Sequence, residues 1–322
     1  METVPKTLTD AIKYYADPDN ALRYLMSLRW PDGIVICPYC DSRPCMFLKT
    51  RRIFKCKACR KQFSIKVGSI FEDSPISLEK WLAAIWLLAN CKNGVSSYEI
   101  SRDIKVTQKS TWFMLHRIRL AMQDENAPKL AGVIEADETL VGGKAKNMHL
   151  DKLTRLRMKG GLHGGGMEGK AIVMGLLERH TRQARVKVLP KTRQFHVRRN
   201  VIANVEKGAT VYSDSLRSYA NLPTDGFVHD FVDHSEAYVR GHVHTNGLEN
   251  FWSLFKRTLK GTYVSVEPYH LQAYADEQCF RFNERKTDDA ARFERVCRQI
   301  VGRRITWKQL TGKETTKEPV CA

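Results

Sequence analysis

Two Cys-x-x-Cys pairs, Cys37-Pro38-Tyr39-Cys40 and Cys56-Lys57-Ala58-Cys59, stand fifteen residues apart near the start of this 322-residue chain, and nothing else in it restricts local folding so tightly. Each pair can wrap a metal as a knuckle, and two knuckles supply four thiolates in tetrahedral geometry. The neighbouring runs Arg52-Ile53-Phe54-Lys55 and Gln62-Phe63-Ser64-Ile65 are β-like, so the spacing predicts a zinc ribbon over residues 34–72. A redox pair would not come twice within hairpin sequence. Four protein ligands leave no open position, so this Zn²⁺ is expected to be structural. Cys45, between the knuckles, reads as a buried thiol rather than a fifth ligand. The chain has nine cysteines, an odd number, and those outside the pairs are scattered, which points to a reducing compartment rather than a disulfide framework.

The charge balance narrows the class. Lys and Arg number 53 against 35 Asp and Glu, a formal net charge of +18. Such an excess suits a polyanion partner, because neutralising phosphates releases condensed counterions. The ribbon itself carries Arg43, Lys49, Arg51, Arg52, Lys55, Lys57, Arg60 and Lys61 and is suited to DNA contact. Residues 1–24 hold Asp10, Asp17 and Asp19 and no apolar run, so no signal peptide is expected. The longest apolar stretch, Trp81 to Ala89, is far short of the roughly 20 residues a spanning helix needs. The expectation is a soluble cytoplasmic protein, nucleoid-associated in a prokaryote, without a membrane partner.

Five regions follow from composition. Residues 1–33 form an N-terminal helical segment ending at Pro31-Asp32-Gly33, and the ribbon follows. Residues 75–127 read as a helix-turn-helix DNA-binding segment: Ser96–Ile104, a turn at Val106-Thr107, then Lys109–Arg119, with Arg117 and Arg119 among the expected exposed cations. Trp81, Leu82, Ile85, Trp86 and Leu88, on the preceding helix, are expected in the core. From about 130 to 290, strand-like and helical runs alternate, which predicts an α/β domain. Residues 291–322 form a C-terminal tail. Within the α/β domain, Gly142 to Gly169 is rich in Gly, Lys and Arg, and its cations, Lys144 and Lys146 among them, suit phosphate contact from a loop between strands.

Three segments of that domain present acids. Gly132–Val141 is an apolar strand interrupted by Glu135, Asp137 and Glu138, and an acid in a buried strand needs an offset such as a metal ion. Alternation puts Val133, Glu135, Asp137 and Thr139 on one face and points Glu138 away. Ala209–Asp214 is a second β-rich run ending in an acid, where open α/β sheets place their sites. In the third, read as a helix, Leu248, Phe251, Trp252, Phe255 and Leu259 form an apolar stripe, opposite Asn246, Glu249, Ser253, Lys256 and Lys260. Glu249 thus shares a polar face with Lys256, which with Arg257 would contact phosphates. His242 and His244, just upstream, suit a structural or phosphate-facing role better than ligation.

These acids, with Asp214 and Glu249 35 positions apart, resemble those of the acidic-triad (DDE) transposases and integrases. The motif order narrows the likeness. Trp30-Pro31-Asp32-Gly33, the ribbon, Gly68-Ser69-Ile70-Phe71 and His116-Arg117-Ile118-Arg119 lead into Asp137-Glu138-Thr139, Gly142-Gly143-Lys144 and Ser213-Asp214. Then come His244-Thr245-Asn246, Glu249-Asn250-Phe251-Trp252, Lys256-Arg257, Gly261-Thr262-Tyr263 and Arg281-Phe282-Asn283-Glu284-Arg285. Over roughly residues 25–290 the chain resembles the ISXO-type insertion-sequence transposases. The resemblance implies a multidomain protein: an N-terminal zinc ribbon, a helix-turn-helix segment and an α/β ribonuclease-H-like catalytic domain. It also implies two Mg²⁺ or Mn²⁺ ions on Asp137, Asp214 and a third residue, and double-stranded DNA partners, the element's terminal inverted repeats and the target. A homo-oligomer on DNA is expected. For the third position Asn246 and Glu249 compete, and Glu249 is favoured because a hard cation prefers charged oxygen. Two rival readings are a transposase-derived DNA-binding regulator without catalysis and an ordinary nuclease of the same fold.

Overall fold

Local capping starts the chain's first two helices. Thr7 accepts the Asp10 amide at the head of α1 (Leu8–Tyr15), and Asp17 accepts the Asp19 amide before α2 (Pro18–Arg29), whose proline occupies the first turn where no amide partner is needed. The ribbon that follows is an antiparallel sheet of β1 (Cys45–Leu48), β2 (Ile53–Cys56) and β3 (Gln62–Phe63). Its small core is aromatic: the Phe54 ring lies 5.4 Å from Trp30 and 5.5 Å from Phe63. Arg29 ties the end of α2 to the turn that leaves the ribbon, donating to the carbonyls of Ile65 and Val67 at 2.8 and 2.7 Å.

The computed structural model of the chain describes residues 5–143, 149–151, 154, 158, 169–191, 193–214, 217–232 and 242–313. The chain divides into two units, residues 1–124 with 284–322 and residues 125–283. In the first, α3 (Leu78–Asn90) buries Trp81, Leu82, Ile85, Trp86 and Leu88, as its pattern predicts. α4 (Ser97–Asp103) starts from a Ser96/Glu99 capping box and packs on α5 (Gln108–Ala121) across a tight turn. Only the first turn of α5 carries exposed residues, Lys109 and Ser110; from Met114 to Arg119 every residue is buried.

The second unit is a five-stranded mixed sheet. Its strands are β4 (Val133–Val141), β5 (Ala171–Glu178), β6 (Ala184–Leu189), β7 (Thr210–Asp214) and β8 (Val228–Val232), in the order β6-β5-β4-β7-β8. β4, β5 and β6 pair antiparallel, while β7 joins β4 and β8 in parallel. Helices cover both faces. On one, α6 (Gln194–Asn204) sets Val197 and Val201 against Ile134, Ala136, Met174 and Val211. On the other, α7 (Asn246–Thr258) and α8 (Leu271–Asn283) set Leu248, Phe251, Trp252 and Ala275 against Val173 and Leu177. Gly175 permits that approach, since a Cβ there would lie 2.7 Å from the Trp252 ring. Side chains of α8 cover the outer edge of β6: the Asn283 and Gln272 carbonyls accept the amides of Ala184 and Val188, each at 2.8 Å.

Beyond Asn283 the chain returns to the first unit. There α9 (Asp289–Arg298) places Phe293 with its ring 5.0 Å from Trp86 and 5.7 Å from both Tyr15 and Tyr24. A last short helix, α10 (Trp307–Leu310), sets Trp307 against Phe113 at 5.5 Å. The segment expected as a tail from 291 therefore contributes core to the N-terminal unit. Its polar composition hid this because Phe293, Val296 and Cys297 are all that α9 buries.

Candidate functional site

The ribbon brings its four expected ligands together. The sulfurs of Cys37, Cys40, Cys56 and Cys59 all lie within 4.8 Å of one another, with Cys37–Cys59 and Cys40–Cys56 at 3.7 Å. Tetrahedral zinc with Zn–S of about 2.3 Å demands S···S edges of about 3.8 Å, so the donor set fits the ion. Cys45 stands outside this group, its thiol 3.9 Å from the Ser42 carbonyl and pushed up to about 11, chiefly by burial.

In the α/β unit the acids meet where two parallel strands part. Pairing of β4 with β7 runs from Val133↔Thr210 to Glu135↔Tyr212 and stops. Two residues further along each strand stand Asp137 and Asp214, at the end of β7. Glu138 joins them: one carboxylate oxygen from each of the three lies within 4.8 Å of the others. Alternation correctly sends Glu138 to the other face of the sheet from Asp137. With no partner strand filling the gap, its longer side chain still reaches the same place, which a face count alone does not foresee. There its Oε1 accepts from the buried Tyr219 hydroxyl at 2.5 Å. On the other side of β4, the Trp252 indole N–H donates to Asp137 at 2.8 Å. Ser213 and His229 brace the neighbourhood of Asp214, with Ser213 Oγ 2.9 Å from His229 Nε2.

Burial beside other carboxylates makes two of these acids, Asp137 and Glu138, resist ionisation. Burial pushes Asp137 up to about 6, opposed by the Trp252 hydrogen bond and assisted by Asp214 and Glu249. Burial pushes Glu138 up to about 8, opposed by Tyr219 and assisted by Asp214 and Asp137. A hard divalent cation is the partner such a donor set suits.

Glu249 is exposed on α7, one turn before Trp252, and lies outside the three-acid group. Asn246 is the first residue of that helix and is exposed. It is not the helix cap. Thr245 holds the cap position without a side-chain bond, and a carboxylate from the sheet takes over: Glu135 Oε2 accepts the Leu248 amide at 3.0 Å. Gly247 makes room for it, since a Cβ there would sit 2.6 Å from that oxygen. Glu135, 1% exposed, also pairs with Arg179 Nε at 2.9 Å. Arg179 in turn donates to the carbonyls of His242 and His244 at 2.7 and 2.6 Å and to His244 Nδ1 at 2.8 Å. The histidine pair is thus engaged in fixing the start of α7.

Two expected DNA contacts need correction. Arg117 is 5% exposed, donating to the carbonyls of Ile70 and Glu72 at 3.0 and 2.7 Å, and Arg119 is 1% exposed. Both belong to the interior of the N-terminal unit, because α5 is enclosed after its first turn. Lys256 and Arg257 are exposed at the last turn of α7, as expected. Lys144 and Lys146, with most of the basic segment around them, lie outside the described residues.

Comparison with known families agrees with this division. Residues 129–283 match the ISXO2-like transposase domain, and residues 17–62 match the transposase zinc-ribbon domain. The two matches take in more than half of the chain, and together they define a DNA-processing enzyme class. The chain belongs to the ISXO2-like transposase family of insertion sequences. Among its relatives, a Halobacterium salinarum protein described as uncharacterized and as part of transposable element ISH50 is 29% identical over 257 residues, covering 77% of this chain and 85% of its own. An uncharacterized transposase-like protein of Haemophilus influenzae is 34% identical over 79 residues, 24% of this chain and 63% of that one. Among the described residues no helix is long and apolar enough to cross a membrane.

Proposed function

We propose that the chain binds the terminal inverted repeats of its element and catalyses Mg²⁺-dependent strand cleavage and strand transfer, in an α/β unit of ribonuclease-H-like fold. The observation that carries this reading is the convergence of Asp137, Glu138 and Asp214 at the parting of two parallel strands. Asp137 and Asp214 are the ligands proposed for two Mg²⁺ or Mn²⁺ ions, with Glu249 at the mouth of the site as the third and Glu138 as an additional acid. Bound there, the ions supply charge neutralisation and activation of the attacking hydroxyl or water. The chain's own residues do the rest. Trp252 holds one oxygen of Asp137, and Tyr219 holds one oxygen of Glu138, so each carboxylate keeps a fixed direction. The Glu135–Arg179 pair fixes the start of α7, and with it Glu249, over the strand ends. Lys256 and Arg257, further along that helix, contact backbone phosphates.

End recognition falls to the ribbon and to α4–α5 as a helix-turn-helix. The exposed first turn of α5, with Lys109, supplies the base-reading surface that Arg117 and Arg119 cannot, and the N-terminal residues of a recognition helix are the ones that reach base edges. Lys144 and Lys146 remain proposed phosphate contacts. The test is a labelled duplex ending in the element's repeat, scored for cleavage and joining. Asp137→Asn and Asp214→Asn should each abolish both reactions while leaving end binding within about twofold. Retained cleavage, or loss of binding together with cleavage, overturns the assignment.

A further inference from the structure

The β6 edge of the five-stranded sheet carries a second charged feature. β6 is the outermost strand on that side, and alternation turns Arg185, Lys187 and Leu189 toward α6, where Leu189 joins the core beneath that helix. Between β6 and α6 lies a cavity of about 330 Å³, lined by Arg185, Lys187, Arg199, Asn200 and Asn204 together with Val186 and Ala203. Three cations and two amides face it, and among the described residues no carboxylate does.

The cations are held differently. Arg185 is fixed, donating through Nη1 to Asn204 Oδ1 at 3.3 Å and through Nη2 to the Pro128 carbonyl. Asn204 is fixed in turn, its amide donating to the Asn200 carbonyl at 2.8 Å and to Asn200 Oδ1 at 3.0 Å. Lys187 and Arg199 are exposed and free to adjust. A rigid guanidinium beside two adjustable cationic heads suits a phosphate, whose oxygens accept from several directions.

Its position relative to the acids is set by strand register. Lys187 pairs with Met174, and Met174 pairs with Glu138, so the hollow is level with the three-acid group two strands away, about 10 Å across the sheet. Resting on the proposed DNA-processing role, we propose that this hollow seats a backbone phosphate of the duplex engaged at the acids. The contact is sequence-independent, because a backbone phosphate carries no sequence information.

The test is the affinity of the full-length protein for a short duplex of unrelated sequence, measured by fluorescence anisotropy from 50 to 200 mM salt. The double variant Lys187→Ala, Arg199→Ala is compared with wild type and with a control double variant of two exposed cations, Lys6→Ala, Lys13→Ala. Losing two phosphate contacts should flatten the log–log salt slope by about 1.8, so that the affinity lost across this range shrinks by about twelvefold relative to wild type. The control should leave the slope unchanged. An unchanged slope in the test variant, or an equal flattening in the control, overturns the proposal. Titration with inorganic phosphate separates the two anion sources: phosphate binding that the double variant abolishes, with duplex slopes unaltered, would assign the hollow to small anions and overturn the duplex contact. A wild-type protein that binds no duplex would refute the proposed function itself, an outcome distinct from a slope that fails to move.

Discussion

Replacing Arg179 with Met should be among the most damaging single changes in the α/β unit. The substitution keeps the aliphatic stem and removes the guanidinium that pairs with a carboxylate only 1% exposed. Removing one partner of a buried pair leaves an uncompensated charge and costs about 3–5 kcal/mol. The two carbonyls of His242 and His244 lose charged donors as well, a further loss of about 1.5–3 kcal/mol each if water cannot replace them. These losses overlap, because the same loop can relax to relieve all of them, so about 3–5 kcal/mol is the working figure. Adding Glu135→Leu to Arg179→Met should return part of it, since a pair replaced by apolar groups is often near neutral, and leave roughly the 1 kcal/mol of an uncapped helix start at Leu248. Denaturant titration of the three variants gives the coupling, and amide exchange of the peptide spanning Leu248 reports the local effect. A cost below about 1 kcal/mol for Arg179→Met, or a Leu248 amide as protected in the variant as in wild type, would refute the reasoning.

Zinc should be found at one ion per chain, and Cys37→Ser with Cys56→Ser should remove it and abolish end binding while the α/β unit stays folded; metal analysis and limited proteolysis check both parts. The raised acids predict a pH dependence in metal-free protein. A carboxyl whose folded value lies above its ordinary one adds stability at low pH that is lost as pH rises through the folded value. Stability should therefore fall between about pH 4 and pH 8 by an amount on the order of a few kcal/mol, as Asp137 ionises near 6 and Glu138 near 8. Glu138→Gln should remove the upper part of that fall, and a profile that rises over the same range contradicts it. For the third ligand, Glu249→Gln should cut strand transfer by orders of magnitude and Asn246→Ala by less; the reverse ranking would make the site an Asp-Asp-Asn variant.

Motifs with strict spacing were fully legible in the sequence. The four cysteines of the ribbon converge as their spacing demands, and the stripe of Leu248, Phe251, Trp252, Phe255 and Leu259 is buried while Asn246, Glu249, Ser253, Lys256 and Lys260 are exposed. What failed was any inference that treated an element as if its surroundings were known. The helix-turn-helix pattern puts Arg117 and Arg119 among exposed cations, yet α5 is enclosed and Arg117 donates to the carbonyls of Ile70 and Glu72. A periodicity argument gives the angle of a side chain around its helix, and it says nothing about whether a second layer covers that angle.

The same limit explains the acids. Glu135, Asp137 and Glu138 look alike in sequence, three carboxylates within four positions of one strand, and their roles differ because of what each meets. Glu135 lies where β4 is still paired on both sides, so its carboxylate is enclosed and must be offset, by Arg179 and by the amide of Leu248. Asp137 and Glu138 lie beyond the last pair with β7, where the gap leaves both side chains able to reach Asp214 from opposite faces. The division between an acid that holds a helix and acids that present oxygen to a cation therefore follows from one feature of topology: the point along β4 at which its parallel neighbour turns away.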